Sequence, residues 1–236
     1  MQISLGDITV DVVRKRMRSI RLSVHPPVGR VRISAPFRVA IETLRAFALA
    51  KLGWIRKQQV RVRQQPRALP REFVDGEPLS IWGHRCVLRI VEAKAPPSVE
   101  LRPGELVLRV RPGTSERIRA AAIEAWHREE LRKAAIPLFA KWEPTMGVSV
   151  GTIFTQRMRT RWGTCNPRTR SIRLNTELVK KPPECLEYVI VHEMVHLLEP
   201  SHNRRFKTLM SQFMPAWAHL RQKLRSLPTG PESLGC

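Results

Sequence analysis

His192, Glu193 and His196 stand in one short run, His-Glu-Met-Val-His, inside an otherwise apolar stretch. Four residues make about 400° of helical rotation, so on a helix both imidazoles project from one face, a turn apart, within reach of a single ion. Glu193 lies one step round from His192. Its carboxylate can therefore reach a water on the ion without ligating the ion itself. Paired imidazoles suit Zn2+, which lowers the pKa of a bound water toward ~7, and the carboxylate can take that proton and pass it to a leaving group. The spacing predicts a zinc-dependent hydrolase site, with His192 and His196 as ligands and Glu193 as general base and acid.

A catalytic zinc takes three protein ligands and keeps one open position. Glu199 and His202 are the nearest donors for the third place. Glu199 follows His196 by three residues, at the end of the same helix, where its side chain reaches back poorly. Pro200 turns the chain, Ser201 can cap a following helix through Phe206 and Met210, and His202 then stands at the start of that helix, free to fold over the metal. His202 is the favoured third ligand. The plainer reading is two histidines on a helix with no metal. Against it, three polar side chains set in an apolar helix need compensation, and no disulfide or cofactor motif competes for them.

The elements that must position these residues follow from periodicity. Pro182 and Pro183 suit a first helical turn, and Glu184 meets the positive end of the dipole, so the motif helix should start there and run to Leu198. Upstream, Ile153–Met158 and Ser171–Asn175 read as strands flanking the turn-rich Gly163-Thr164-Cys165-Asn166-Pro167. Ser115–Lys141 reads as an amphipathic helix with Ile118, Ala122, Ala125, Trp126 and Leu131 on one face. Leu79–Trp82, Val87–Val91 and Leu106–Val110 alternate as strands between Asp75-Gly76, Pro96-Pro97 and Pro103-Gly104. Ile8–Pro36 alternates likewise, with a turn at Pro26–Gly29. A long helix over 39–65 follows, carrying Ile41, Leu44, Phe47, Ala48, Leu52 and Ile55, and the breaker Pro66–Pro70 ends it. The expected class is α+β. Residues 1–112 form a β-rich N-terminal region with the helix at 39–65; residues 113–227 form a helical catalytic half with a small antiparallel sheet; residues 228–236 are a flexible tail. The boundary is expected near Pro112.

Composition narrows the partners. The 236 residues hold 42 Lys and Arg against 20 Asp and Glu, a net charge of +22. Such a field attracts nucleic acid, nucleotides, acidic proteins or anionic membrane surfaces, although a solvated basic surface accounts for it equally well. Cys86, Cys165, Cys185 and Cys236 form no C-x-x-C pair, which fits a reducing, cytoplasmic setting. Met1–Val10 lacks the uninterrupted apolar stretch of an export signal, and no run approaches ~18 apolar residues, so no membrane span is expected. No G-x-x-x-x-G-K loop is present, which excludes the P-loop route to nucleotide hydrolysis.

Several segments together resemble one family. Arg161-Trp162-Gly163-Thr164-Cys165, Ile172-Arg173-Leu174-Asn175, Tyr188 through His196, His202-Asn203 and Phe206 are similar in order and spacing to the YgjP-like metallopeptidases, once called domain of unknown function 45 and related to the SprT-like and WLM metalloproteases. The likeness extends upstream to Arg18-Ser19-Ile20-Arg21-Leu22, Gly29-Arg30-Val31, Ala35-Pro36 and Lys51-Leu52-Gly53-Trp54-Ile55. It covers about residues 10 to 225. It departs where Thr164 replaces a more usual Ser and where His127 follows Trp126 in place of Tyr.

The resemblance implies a zincin-type catalytic half, zinc on His192, His196 and His202, and Glu193 as general base. In zincins a strand edge lines the cleft and holds an extended substrate, so Arg161, Trp162 and Gly163 are candidate substrate-binding residues. Trp162 as core and Gly163 as a turn residue is an equally good reading. Cys165 reads as a small buried residue rather than a ligand. Arg161, Arg204 and His219 are candidates for the developing oxyanion, whereas Tyr188 reads as packing. His25, His84 and His127 read as ordinary histidines. Three functions stay open: hydrolysis of a protein or peptide; hydrolysis of a nucleoside triphosphate or other phosphoester at the same metal, since some family members are assigned a nucleotide pyrophosphatase activity; and a non-enzymatic nucleic-acid-binding module. SprT-like relatives, which cut proteins bound to DNA, join the first and third.

Overall fold

The computed structural model describes residues 1–25, 28–64, 72–158 and 161–227. The class is α+β, with three sheets and six α-helices among the described residues. The expected turn at Pro26–Pro27, the end of the long helix at Gln65, the breaker Pro66–Pro70 and the tail 228–236 lie outside them.

The described residues up to 64 make one compact unit. Its strands are β1 (Gln2–Leu5), β2 (Ile8–Arg14), β3 (Arg21–His25) and β4 (Arg30–Ala35), in the order β1-β2-β4-β3. Strict alternation sends Ile3, Leu5, Ile8, Val10, Val12, Val31 and Ile33 to one face, and a sheet with one apolar face must bury it. Leu44, Ala48 and Ile55 complete that core. They come from two helices rather than the single one expected over 39–65. α1 (Ile41–Ala50) and α2 (Leu52–Gln64) are parted at Lys51, whose φ of −105° and ψ of 10° leave the helical region. Gly53, a weak helix former costing about 1 kcal/mol in a helix interior, stands just beyond the break.

The second unit holds the remaining elements. β5 (Pro78–Ile81), β6 (His84–Glu92), β7 (Ser98–Arg102) and β8 (Glu105–Val110) form a sheet ordered β5-β6-β8-β7. β7 is a strand the periodicity did not single out. Leu88, Leu106 and Leu108 of this sheet share a core with Ile123, Leu174 and Ile190. The boundary expected near Pro112 therefore runs through a continuous core, and the chain divides instead between residues 64 and 72.

α3 (Glu116–Met146) is longer than expected, with Ile123, His127, Leu131, Ala135 and Phe139 buried at four-residue spacing along one stripe. Gly147, at φ 64°, ends it in the left-handed conformation that glycine adopts without strain. β9 (Thr152–Gln156), β10 (Gly163–Asn166) and β11 (Ser171–Asn175) form the small sheet, in the order β10-β11-β9. The segment expected to be a turn is thus a strand, and the sheet is mixed rather than purely antiparallel. β10 pairs antiparallel with β11, while β9 pairs parallel with β11. A 3-10 turn (Thr176–Lys180), α4 (Pro183–Val195), α5 (Arg204–Phe213) and α6 (Trp217–Ser226) complete the unit. Among the described residues no helix is long and apolar enough to cross a membrane.

The β5–β6 hairpin supports the start of α4. Its two turn residues, Trp82 and Gly83, both have positive φ, 51° and 82°, as a tight two-residue hairpin requires. Trp82 N–H donates to Val179 O at 2.6 Å. A Cβ on Gly83 would stand 2.9 Å from Pro182 Cγ and 3.2 Å from its Cα. Gly83→Ala should therefore lower unfolding free energy by about 1–3 kcal/mol, as overpacking typically does. Urea denaturation of the variant checks this; an unchanged midpoint would show that the hairpin does not brace α4.

Candidate metal centre

α4 begins as its sequence demands. Pro182 is extended at the cap, Pro183 takes the first helical position and Glu184 stands in the first turn. Leu186, Val189, Ile190, Val191, Met194 and Val195 are buried around nearly the whole helix. The regular helix stops at Val195, three residues short of the expected end. His196 is the C-cap, still helical at φ −65° and ψ −16°, so the two histidines keep their one-turn relation. The backbone then tightens, with Leu197 N–H donating to Met194 O and Leu198 N–H to Val195 O.

His202 returns to this face by a turn that differs from the expected one. Asn203, not Ser201, caps α5, its side-chain oxygen accepting from Phe206 N–H at 3.0 Å. Ser201 instead donates from its amide and hydroxyl to Glu199 Oε1, at 3.1 and 2.8 Å. That engagement holds the Glu199 carboxylate on Ser201. Its backbone carbonyl takes another part, standing 3.1 Å from His196 Nδ1 and leaving Nε2 as the free ring nitrogen.

His192, His196 and His202 each offer a ligand atom, and all three atoms lie within 4.8 Å of one another. The Nε2 atoms of His192 and His202 are 3.0 Å apart. Two nitrogens bound at ~2.05 Å to one tetrahedral ion stand about 3.3 Å apart, so the spacing is close to that of a shared ion. Phe206, buried, lies 5.0, 4.7 and 4.6 Å from the three ring centroids and forms an apolar floor beneath them. Burial pushes the His192 pKa down to about 3, helped by the two neighbouring imidazoles and Arg221. Burial also lowers His196 and His202. All three rings are thus neutral at neutral pH, the state in which imidazole binds a metal. His192 Nδ1 is buried without a hydrogen-bond partner, a cost that a cation on the same ring would help to offset.

Glu193 faces the same cleft, a hollow of about 420 Å³ with Arg161 through Cys165 on one wall and the histidines on the other. The residue is 6% exposed, and burial raises the pKa of its carboxyl to about 8 against the lowering influence of Arg161. The room it occupies exists because residue 163 is glycine. A Cβ there would lie 2.6 Å from Glu193 Oε1 and 2.7 Å from Cγ.

β10 is the edge of its sheet. Asn175 N–H donates to Trp162 O at 2.9 Å, which makes Trp162 and Asn175 a bonded pair of the antiparallel ladder. Gly163 and Cys165, opposite Leu174 and Ile172, are then the non-bonded positions, and their N–H and C=O groups point away from β11 along the free edge. The Trp162 side chain is core, as the plainer reading had it. It is buried under Lys181, whose Nζ stands 5.6 Å above the ring and whose pKa burial pushes down to about 8. Trp162 nevertheless lines the cleft. Arg161 is exposed and also lines it. Cys165 lines it as well, half-buried, with its thiol raised to about 11 by burial and by Glu193.

Two contributors were not singled out as site residues in the sequence. Asn175 is fully buried, and its amide donates to Met158 O and Arg161 O at 2.9 and 2.7 Å while its oxygen accepts from Met158 N–H and Glu177 N–H. It ties both ends of the segment leading into β10. Arg221, on α6, acts on His192 and His202. Arg204 and His219, offered as oxyanion partners, are exposed and do not line the cleft. Tyr188, expected to pack, is buried against His192 with ring centroids 5.9 Å apart and also lines the cleft. His25 is hydrogen-bonded to Ser23, His84 is exposed and His127 packs beside Trp126.

Gly163→Ala should displace the Glu193 carboxylate while leaving the three imidazoles in place. Hydrolytic turnover is expected to fall at least about tenfold with metal content retained, measured side by side on one preparation. Unchanged turnover would show that the close approach does not position Glu193.

Among the solved structures that resemble the protein, a metallopeptidase zymogen of Pyrococcus abyssi, abylysin, is 14% identical and aligns over 38% of this chain and 90% of that one, with a TM-score of 0.36. A metallopeptidase zymogen of Methanocaldococcus jannaschii, jannalysin, is 20% identical over 42% of this chain and 92% of that one, with a TM-score of 0.30. No curated protein matches the chain. The family described as YgjP-like, metallopeptidase domain, matches residues 18–227, and the chain belongs to that family.

Proposed function

We propose that the chain is a zinc-dependent metallopeptidase acting on proteins or peptides, with His192, His196 and His202 as metal ligands and Glu193 as general base and acid. Three neutral imidazoles with one position left open are the donor set that zinc prefers in catalytic sites. When bound, zinc polarises a carbonyl and lowers the pKa of water toward ~7. Glu193, held against Gly163 and ionised once a cation on the neighbouring imidazoles offsets the burial that raises its pKa, would take the proton of the attacking water and deliver it to the departing amine nitrogen.

The observation that carries the peptide assignment is the free edge of β10 beside Glu193. The outward N–H and C=O groups of Gly163 and Cys165 offer main-chain pairing to an extended peptide, whose scissile carbonyl would then lie across the carboxylate. Arg161, at the mouth of the cleft, supplies positive charge for the developing oxyanion. The free thiols of Cys86, Cys165 and Cys185 suit a reducing, cytoplasmic setting. A second reading, hydrolysis of a nucleoside triphosphate, is favoured by Arg161, which lines the cleft and whose charge would meet phosphates.

Purified protein should carry about one zinc per chain, and His192→Ala should lose it. Glu193→Gln should keep the zinc while cleavage of a casein substrate falls by about 10²–10⁴-fold, the usual contribution of a general base. Release of phosphate or pyrophosphate that depends on Glu193, with casein untouched, would overturn the peptide assignment.

A further inference from the structure

The positive charge is unevenly placed. Residues 1–64 hold fourteen Lys and Arg against three acids, a net of +11, whereas residues 72–227 hold 26 against 16, a net of +10 over more than twice the length. An arginine-rich composition acting on the whole chain would load both stretches alike. Of the three acids in the first stretch, Asp7 and Asp11 are already engaged, with Arg56 and Arg30, at 3.2 Å each. The N-terminal unit therefore carries a positive field that its own acids cannot neutralise.

α2 shows how part of that charge is displayed. Ile55 and Val62 bury one side of the helix, and the helix contains no acidic residue. On the solvent side Trp54, Lys57 and Arg61 are all exposed. Their i, i+3, i+7 spacing sets them in one strip. An indole left 43% exposed beside cations is a surface on which a base can stack while the cations meet phosphates. Bases inside a duplex are already stacked, so the strip suits unpaired strands. An anionic bilayer would instead want a continuous apolar stripe. Val60, the other large apolar residue exposed on α2, stands about 120° round from Trp54 and makes no stripe with it.

We propose that the N-terminal unit binds single-stranded nucleic acid along the Trp54, Lys57 and Arg61 strip of α2. This function is separate from the metal centre and does not rest on the peptidase reading.

Fluorescence anisotropy of the full chain with a labelled oligothymidylate, compared with a duplex of equal length and with phosphatidylserine-containing vesicles, tests it. The single strand should bind more tightly than the duplex. Trp54→Ala should weaken single-strand binding about tenfold, within the range for loss of one stacking platform, and Trp54→Phe should restore most of it. Lys57→Glu with Arg61→Glu should weaken it at least about tenfold and flatten the log–log salt dependence by about 1.4, for two lost phosphate contacts on a single strand. Arg117→Glu with Arg128→Glu on α3, an equal charge change, should leave affinity within about twofold. Each variant alters an exposed side chain, so thermal melting should be unchanged; for a variant that does unfold, the other supplies the answer. Equal weakening by the α3 pair, indifference to Trp54→Ala, or capture by vesicles without oligonucleotide binding would overturn the proposal.

Discussion

The backbone of Gly163 passes so close to α4 that a methyl group there would stand 2.6 Å from Glu193 Oε1. This approach joins the two walls of the cleft. It sets the edge strand beside the carboxylate and leaves Glu193 no space on that side into which it could swing. The surrounding structure serves the same contact. Asn175 ties down the segment that leads into Gly163, the Trp162 ring anchors that segment in the core, and the turn at Gly83 presses on Pro182 where α4 starts.

α4 carries a cost for its chemistry. His192 and Glu193 are polar groups set in a helix whose other side chains are mostly buried and apolar, and desolvation of unpaired groups opposes folding. The site limits that cost by keeping the imidazoles neutral and by shifting the carboxyl pKa up to about 8. The Glu199 carbonyl orients His196 from behind, and Phe206 supplies a dry floor. A cation placed at the three Nε2 atoms would turn the remaining expense into binding energy, which is why so apolar a helix can carry these residues.

The motif was legible because its information is local. Four-residue spacing decides the relation of His192 to His196, and Pro200 decides that the chain must turn before His202. The preference for His202 over Glu199 followed from reach; His202 offers a nitrogen within 4.8 Å of those of His192 and His196, whereas the Glu199 carboxylate is engaged by Ser201. The features that were not legible depend on contacts distant in sequence. Gly163-Thr164-Cys165-Asn166 has the composition of a turn, and only pairing with Ser171–Asn175 makes it a strand, as expected where context outweighs β-propensity. Nothing in the spacing marks Gly163 as the residue facing Glu193, Asn175 as a buried hub, or Arg221 as a neighbour of His202. The shared core that moves the division of the chain to residues 64–72 is tertiary too. Alternation reports which residues turn inward but not which element they meet.

The proposed chemistry requires three imidazoles sharing one ion beside Glu193. Zinc K-edge X-ray absorption of the metal-loaded protein reads that coordination directly. It should show three imidazole nitrogens at about 2.0–2.1 Å and one lighter oxygen donor, with no sulfur. A sulfur scatterer near 2.3 Å, which would bring in Cys165, or a shell with fewer than three imidazoles, would contradict it.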